Sequence, residues 1–344
     1  MALLFMDGFD HYDPAKSGEI GMKWDNSPNQ SYLDSGSGRF VGNAARLEDD
    51  ASYLQKNITG NPQEVILGFA WKGFNTITGN SSVGFVNFGN ASSANQLLMY
   101  PSADGSLSIK RSGEAVIESS SPGSVTQNTW YYIEIRAKAS NTVGEAEIKI
   151  DGTTILNISG EDTLAIGSIE NWSQIKFLGD DNDLTTEYFL YDDIYILDLS
   201  GAKNNTFLGD CRIDTIHPNA SGEVTNLTPS DSAENFECVS GELYGTASHV
   251  QGLTGIDTYA FPACGVSGEI FAIQPVFASG RTEPISSMKS TNIVRVSSTN
   301  YSGEEHTETD NPSFKTDIFE IDPSDDLDWS ATKIDATEFG IKLI

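Results

Sequence analysis

The stretch Trp130–Ala137 (WYYIEIRA) most constrains the fold, because Tyr131, Ile133 and Ile135 alternate with Tyr132, Glu134 and Arg136. Successive side chains of a β-strand point to opposite faces, so a period of two fits a strand and not a helix. Glu145–Ile150 alternates in the same way and runs into Asp151-Gly152, with Thr153–Ile158 behind it. An Asp-Gly pair between two such runs is a hairpin signal, since both residues accept the positive φ of a tight turn. Further strand-like runs stand at Glu64–Lys72, Val83–Phe88, Gln96–Tyr100, Ser106–Arg111, Ser173–Leu178 and Glu187–Leu197. No window sustains a helical period. Residues 1 to about 200 are therefore expected to form a two-sheet antiparallel sandwich.

A chain of 344 residues has room for about two domains, at ~150 residues each. The polar stretch Ser200–Asn205 separates two apolar runs and predicts the boundary, giving domains 1–200 and 201–344. The second is read as a smaller β-sandwich, with strands at Phe207–His217, Ile270–Ala278, Met288–Ser298 and Phe314–Ile321. One short helix is expected near 330–336, capped by Asp328 or Ser330, before a final strand Glu338–Ile344. The predicted fold class is all-β throughout.

The net charge of −29 is shared almost equally between the two halves, so it is no acidic tail. Such a surface repels phosphate backbones and anionic lipid heads, which argues against nucleic acid and membrane insertion as partners. The opening MALLFMDGFD has an apolar run only from Ala2 to Met6, short of the ~7–15 residues of a secretory signal. The expectation is a chain made and assembled in the cytoplasm. The N-x-[ST] matches at Asn57, Asn157 and Asn226 are discounted for the same reason. Cys211, Cys238 and Cys264 are odd in number and widely spaced, and are read as free thiols.

Three stretches, WYYIEIR, EIKIDGTTIL and the closing YDDIYILD, resemble the strands of a concanavalin A-like or laminin-G-like jelly roll. The whole chain also resembles a type of tailed-bacteriophage virion protein. That likeness rests on the opening LLFMDGFDHY, the DDIYILD strand, FLGDCRIDTIHPNASGEV and the ending EFGIKLI. It implies a structural protein on the virion surface, a tail fibre or another tail-associated receptor-binding part. A head decoration or cement protein is the alternative. It further implies other virion proteins as partners, a host surface glycan as ligand, and self-association, with a trimer favoured. No heptad run supports a coiled coil, so any oligomer must be built from sandwich faces or loops, with the final strand and the acidic stretch Glu304–Asp328 as candidate contact regions, although such a stretch is more often simply solvated.

Jelly rolls include glycosidases, which need two carboxyl groups ~5–9.5 Å apart. Glu145 and Glu147 share a strand face, but no third carboxylate follows in the Glu-x-Asp-x-x-Glu manner, and a solvated face is the plainer reading. The four histidines are scattered, and neither G-x-S-x-G nor a phosphate-binding glycine motif is present. No catalytic residue is assigned, and the chain is expected not to be an enzyme. No cofactor is assigned with certainty, but calcium has two candidate acidic sites. One is the loop Asp180, Asp181 and Asp183. The other is Asp7 and Asp10 with Asp192 and Asp193, if the first and last strands of the jelly roll are neighbours. For a glycan, Trp24 and Trp172 are the candidate stacking residues at loop edges, whereas Trp71 and Trp130 are read as buried in strands.

Overall fold

The computed structural model describes residues 2–27, 31–48, 51–74, 84–179, 188–231, 234–241, 248–282 and 287–344. It divides into two compact units, one of Met1–Asp10 with Pro14–Ile213, the other of His11–Asp13 with Asp214–Ile344. The all-β prediction holds for both.

The first unit carries β1 (Leu3–Asp7), β2 (Ser31–Ser35), β3 (Asn43–Leu47), β4 (Tyr53–Asn57), β5 (Glu64–Phe74), β6 (Val86–Gly89) and β7 (Leu97–Pro101). These are followed by β8 (Leu107–Arg111), β9 (Val116–Ser119), β10 (Tyr131–Lys138), β11 (Gly144–Ile150), β12 (Thr153–Glu161), β13 (Gln174–Leu178) and β14 (Tyr188–Asp198). An eight-stranded antiparallel sheet runs β12-β11-β10-β5-β14-β3-β2, with β1 also on β14. A six-stranded sheet runs β4-β13-β6-β7-β8-β9. The alternation in WYYIEIRA sorts as the sequence requires. Ile133 and Ile135 pair with Phe69 and Leu67 on the inner face, and Glu134 and Arg136 pair with Gly68 and Ile66 on the outer one.

Aromatic rings join the two inner faces. Phe69 of the larger sheet meets Phe177 of the smaller edge-on at 5.2 Å, and Trp71 meets Phe85 at 5.5 Å. The Tyr191 hydroxyl, fully buried, donates to the carbonyls of Phe85 and Leu178 across the gap. A hydroxyl left unbonded in such a core would cost ~1–3 kcal/mol, so this contact fixes the spacing of the sheets.

The boundary falls at Ile213–Asp214 and not near residue 200. The expected strand Phe207–His217 does not form, because its N–H groups go to side chains of the first unit instead of a ladder.

The second unit holds β15 (Ala220–Thr225), β16 (Thr228–Pro229), β17 (Val250–Gln251), β18 (Gly255–Ala260), β19 (Val276–Ser279) and β20 (Lys289–Val296). It continues with β21 (Thr299–Ser302), β22 (His306–Thr307), β23 (Ser313–Thr316), the helix α1 (Ala331–Asp335) and β24 (Glu338–Leu343). A sheet runs β15-β18-β24-β20-β21, with β22 on β20, and two ribbons pair β16 with β17 and β19 with β23. Val294, Trp329, Ile334 and Phe339 centre its core. Ser330 caps α1, its hydroxyl accepting from Lys333 N. The final strand β24 is hydrogen-bonded to β18 on one side and to β20 on the other.

Candidate functional site

β14 is the last strand of the jelly roll, and it changes partner half-way. Phe189–Tyr191 pair with β3, and Ile194–Leu197 pair with β1. The change falls at Asp192-Asp193, where the pairing with β5 also slips and Asp193 takes a left-handed φ of 51°. A bulge of this kind frees backbone groups and turns side chains off the regular pleat.

Around that bulge the acidic residues singled out above gather, but each is already engaged. Asp192 accepts from the amides of Arg39 and Asp193, both at 2.8 Å. Asp193 accepts from Ile213 N at 2.7 Å, with the Arg39 guanidinium 3.9 Å away. Asp10 accepts from Asn43 N at 2.7 Å. Asp7 takes the indole N–H of Trp24 at 2.9 Å and the amide of Phe9, and the Lys23 ammonium stands 3.5 Å off. Burial, then the Asp193 charge, pushes the Asp192 carboxyl up to about 8. Burial drives the Lys23 ammonium down despite Asp7.

The calcium expectation at this quartet is therefore corrected. A hard cation needs several oxygens converging on one point, whereas these face amides and a built-in ammonium. Among the described residues no group of three His, Cys, Asp or Glu is placed to hold a metal ion. The second candidate loop, Asp180, Asp181 and Asp183, lies outside the described residues.

The quartet instead anchors a crossing segment. Residues 207–213 run over the outer face of the eight-stranded sheet. Leu208 N donates to the Tyr195 hydroxyl, Gly209 N to Glu134, and Ile213 N to Asp193. Glu134 is only 1% exposed and also accepts from the Tyr195 hydroxyl at 2.5 Å. The Tyr195 ring lies so close over Gly68 that a Cβ there would stand 2.2 Å from it. A Cβ on Gly8 would stand 2.5 Å from the Ile213 carbonyl oxygen, so the DGF stretch needs its glycine. Two further charges of this face are paired, Arg136 with Glu64 and Lys138 with Glu145, while Glu147 takes the Thr154 hydroxyl and the Lys149 ammonium lies over the Phe207 ring.

Both tryptophans proposed for sugar stacking are corrected as well. Trp24 is 2% exposed, stacks with Phe9 and meets Phe5 edge-on. Trp172 is fully buried against Phe88 and donates to the Ala137 carbonyl. Indoles that find an internal acceptor belong to the core. Trp130, expected to be buried, is instead partly exposed, with the Lys72 ammonium 5.7 Å from its ring.

The outer face of the six-stranded sheet is partly exposed at its β4–β13 end, at Tyr53, Gln55 and Lys176, and buried towards β6–β8, at Asn87, Leu98, Tyr100 and Lys110. One row across it reads Gln55, Lys176, Asn87, Leu98 and Lys110, each residue directly paired with the next. Tyr53 and Tyr100 flank the row, with Lys176 Nζ 4.6 Å from the first ring and Lys110 Nζ 5.1 Å from the second. The Tyr53 hydroxyl accepts from Asn26, and the Gln55 amide donates to Asn57. None of the outward positions on β4, β13, β6, β7 and β8 is Asp or Glu. Asp25, at the margin, is tied to Asn57 N and Lys56. Burial alone lowers the Lys176 pKa. The sequence reading passed over this face, since no residue of it stands out until the strand order aligns the row.

No family model matches the sequence, and no curated protein matches it. Solved structures do match the fold. An alginate lyase, Aly36B, in complex with alginate tetrasaccharide is similar at 18% identity, over 56% of this chain and 95% of that one, with a TM-score of 0.41. The endo-β-1,4-glucuronan lyase from Trichoderma reesei matches at 14% identity, over 51% and 90%, with a TM-score of 0.37. The receptor binding domain of botulinum neurotoxin D matches at 15%, over 50% and 43%, with a TM-score of 0.36. The expectation that the chain is not an enzyme is corrected here, because polysaccharide lyases are among these structures. That expectation rested on missing hydrolase motifs, and an elimination reaction uses no activated water or serine.

Proposed function

We propose that this chain is a structural protein of a tailed-phage virion that meets a glycan of the host surface through its jelly roll. The observation that carries the glycan contact is the partly exposed β4–β13 end of the outer face of the six-stranded sheet. It offers the Tyr53 ring, the amides of Gln55 and Asn57 and the Lys176 ammonium, with no carboxylate among the outward positions of these two strands. Sugars are held by such planar amides and hydroxyls beside aromatic faces. The virion reading is supported by the resemblance of LLFMDGFDHY, DDIYILD and FLGDCRIDTIHPNASGEV. The parts of these stretches that lie in the first unit meet there, where Asp7 pairs with Ile194, Gly8 abuts Ile213, and Ile213 N reaches Asp193.

The test has two parts. Peptides of this chain, sought by mass spectrometry in purified particles, are expected among the virion proteins, and antibody labelling is expected at the tail. Labelling spread over the capsid lattice would favour the decoration role instead, and absence from the particle would overturn the virion reading. The purified protein is expected to bind on a glycan array.

A further inference from the structure

We infer that Trp130 is the stacking platform of a saccharide-binding position on the outer face of the eight-stranded sheet, which takes neutral pyranose sugars with Lys72 as a hydrogen-bond donor. This position is distinct from the glycan contact proposed above, which lies on the other sheet, and shares with it only the class of ligand. The first support is the contrast among the five tryptophans. Trp24, Trp71, Trp172 and Trp329 are at most 4% exposed, and three of them donate the indole N–H to an acceptor inside the protein. Trp130 is partly exposed, and among the described residues its N–H has no acceptor. An indole that keeps a wet face and a spare donor offers an apolar ring and a hydrogen bond side by side. A pyranose, with its C–H face and its rim of hydroxyls, matches both.

The second support is the way the chain holds Trp130 in place. Tyr131 pairs with Trp71, and Asn128 N donates to the Gly73 carbonyl at 2.8 Å, so Trp130 is set beside Lys72 at the margin of the sheet. Asn128 takes a left-handed φ of 56° to make that turn. The Tyr131 hydroxyl accepts from Thr126 N at 3.0 Å, and the Thr126 and Thr129 hydroxyls lie 3.1 Å apart. The backbone is thus pinned on both sides of the indole, and a ligand would have little left to order. Gln127, Asn128 and Thr129 of the same loop are exposed, which surrounds the ring with amides and a hydroxyl and not with the apolar side chains of a protein-binding patch.

The third support is Lys72. It is partly exposed, its Nζ lies 5.7 Å from the centre of the Trp130 ring, and among the described residues no carboxylate stands within ion-pair distance of it. Its three N–H donors can therefore go to oxygens of a ligand on that ring. The segment 207–213 covers this face at Glu134, which pairs with Gly68, two outward positions along β5 from Lys72. The choice of a neutral sugar follows from charge. The chain has 49 acidic residues against 20 lysines and arginines, and one ammonium does not offset that field for a polyanionic glycan.

The experiment is acrylamide quenching of tryptophan fluorescence in the full chain, with calorimetric titration alongside. The probes are malto-, cello- and manno-oligosaccharides of equal length, with oligogalacturonate as the acidic counterpart. Because the other four indoles are buried, quenching reports on Trp130. A neutral sugar at saturation is expected to lower the quenching at least twofold. Trp130→Ala should weaken its binding at least tenfold, Trp130→Tyr should restore most of the affinity by keeping a ring, and Lys72→Met should weaken it about threefold. Sugar binding that leaves the quenching unchanged, or that survives in Trp130→Ala, overturns this inference and leaves the glycan contact on the other sheet standing. Tighter binding of oligogalacturonate than of every neutral sugar also overturns it, as does binding of none of the four. The glycan array tests the reading above separately.

Discussion

Arg39 and Asp210, 171 positions apart, meet as a fork, with Nη1 on Oδ1 at 2.5 Å and Nη2 on Oδ2 at 2.6 Å. The same guanidinium lies 5.0 Å from the centre of the Tyr132 ring and 4.9 Å from that of Phe40. One residue thus joins the loop before β3 to the segment that crosses the eight-stranded sheet. Two parallel charge-assisted bonds fix orientation as well as adding energy. Arg39→Ala is expected to cost ~1–3 kcal/mol and to open residues 207–213 to limited proteolysis. An unchanged cleavage pattern by mass spectrometry would count against the anchoring role.

Glu134 is the second anchor. It receives the Tyr195 hydroxyl and the Gly209 amide in a buried position. Glu134→Gln keeps the shape but turns a charged acceptor into a neutral one, with an expected loss of ~1–3 kcal/mol in urea unfolding. Tyr195→Phe should cost a similar amount, and the double mutant less than the two together, since they share one bond. Strict additivity would show that the pair does not interact.

Asp192 gives the fold a pH dependence. Its pKa is raised from about 3.9 in the unfolded chain to about 8 in the folded one. The folded state therefore holds a proton that the unfolded state releases between these values. This contribution is fully present below pH ~4 and is lost as pH rises through about 8, with a slope of at most ~1.36 kcal/mol per pH unit. Asp192→Asn, which cannot titrate, is expected to flatten that slope between pH 5 and 8, whatever its effect on absolute stability. An identical slope in the mutant would rule Asp192 out as its source.

Trp172 separates core from site. Trp172→Phe removes the bond to the Ala137 carbonyl and part of a fully buried ring, with an expected loss of ~1–3 kcal/mol. Glycan affinity measured well below the melting temperature should be unchanged. A specific loss of binding in a folded variant would return Trp172 to the ligand surface.

Strand content was legible in the sequence wherever alternation was strong. Trp130–Ala137, Glu145–Ile150 and the Asp151-Gly152 turn match β10, β11 and the turn between β11 and β12 within a residue or two. Capping chemistry placed α1 beside Ser330. These features depend on neighbours a few positions apart, and local sterics decide them. The segment Phe207–His217 shows the limit. Its residue types suit a strand, but its N–H groups found Tyr195, Glu134 and Asp193 side chains that only the folded sheet presents.

Side-chain roles divided in the same way. The nearness of Asp7 to Asp192 and Asp193 of β14 followed from the jelly-roll order, and β1 does pair with β14, Asp7 opposite Ile194. Whether those acids would face a cation, water or the chain itself was set by Lys23, Arg39 and the amides of Phe9, Asn43 and Ile213, all brought in by tertiary packing. Trp24 and Trp172 lie in polar stretches of sequence, and they are buried because folding brings Phe5 and Phe9 onto Trp24 and Phe88 onto Trp172. By itself the sequence determined that the chain is all-β, where most strands of the first unit run, and that the surface is acidic. Periodicity and composition are properties of the chain alone. The tertiary structure decided the partners of each buried charge and which residues of separate strands share one row of a sheet face. A row across a sheet is made of residues from separate strands, and only their hydrogen-bonded register puts them side by side.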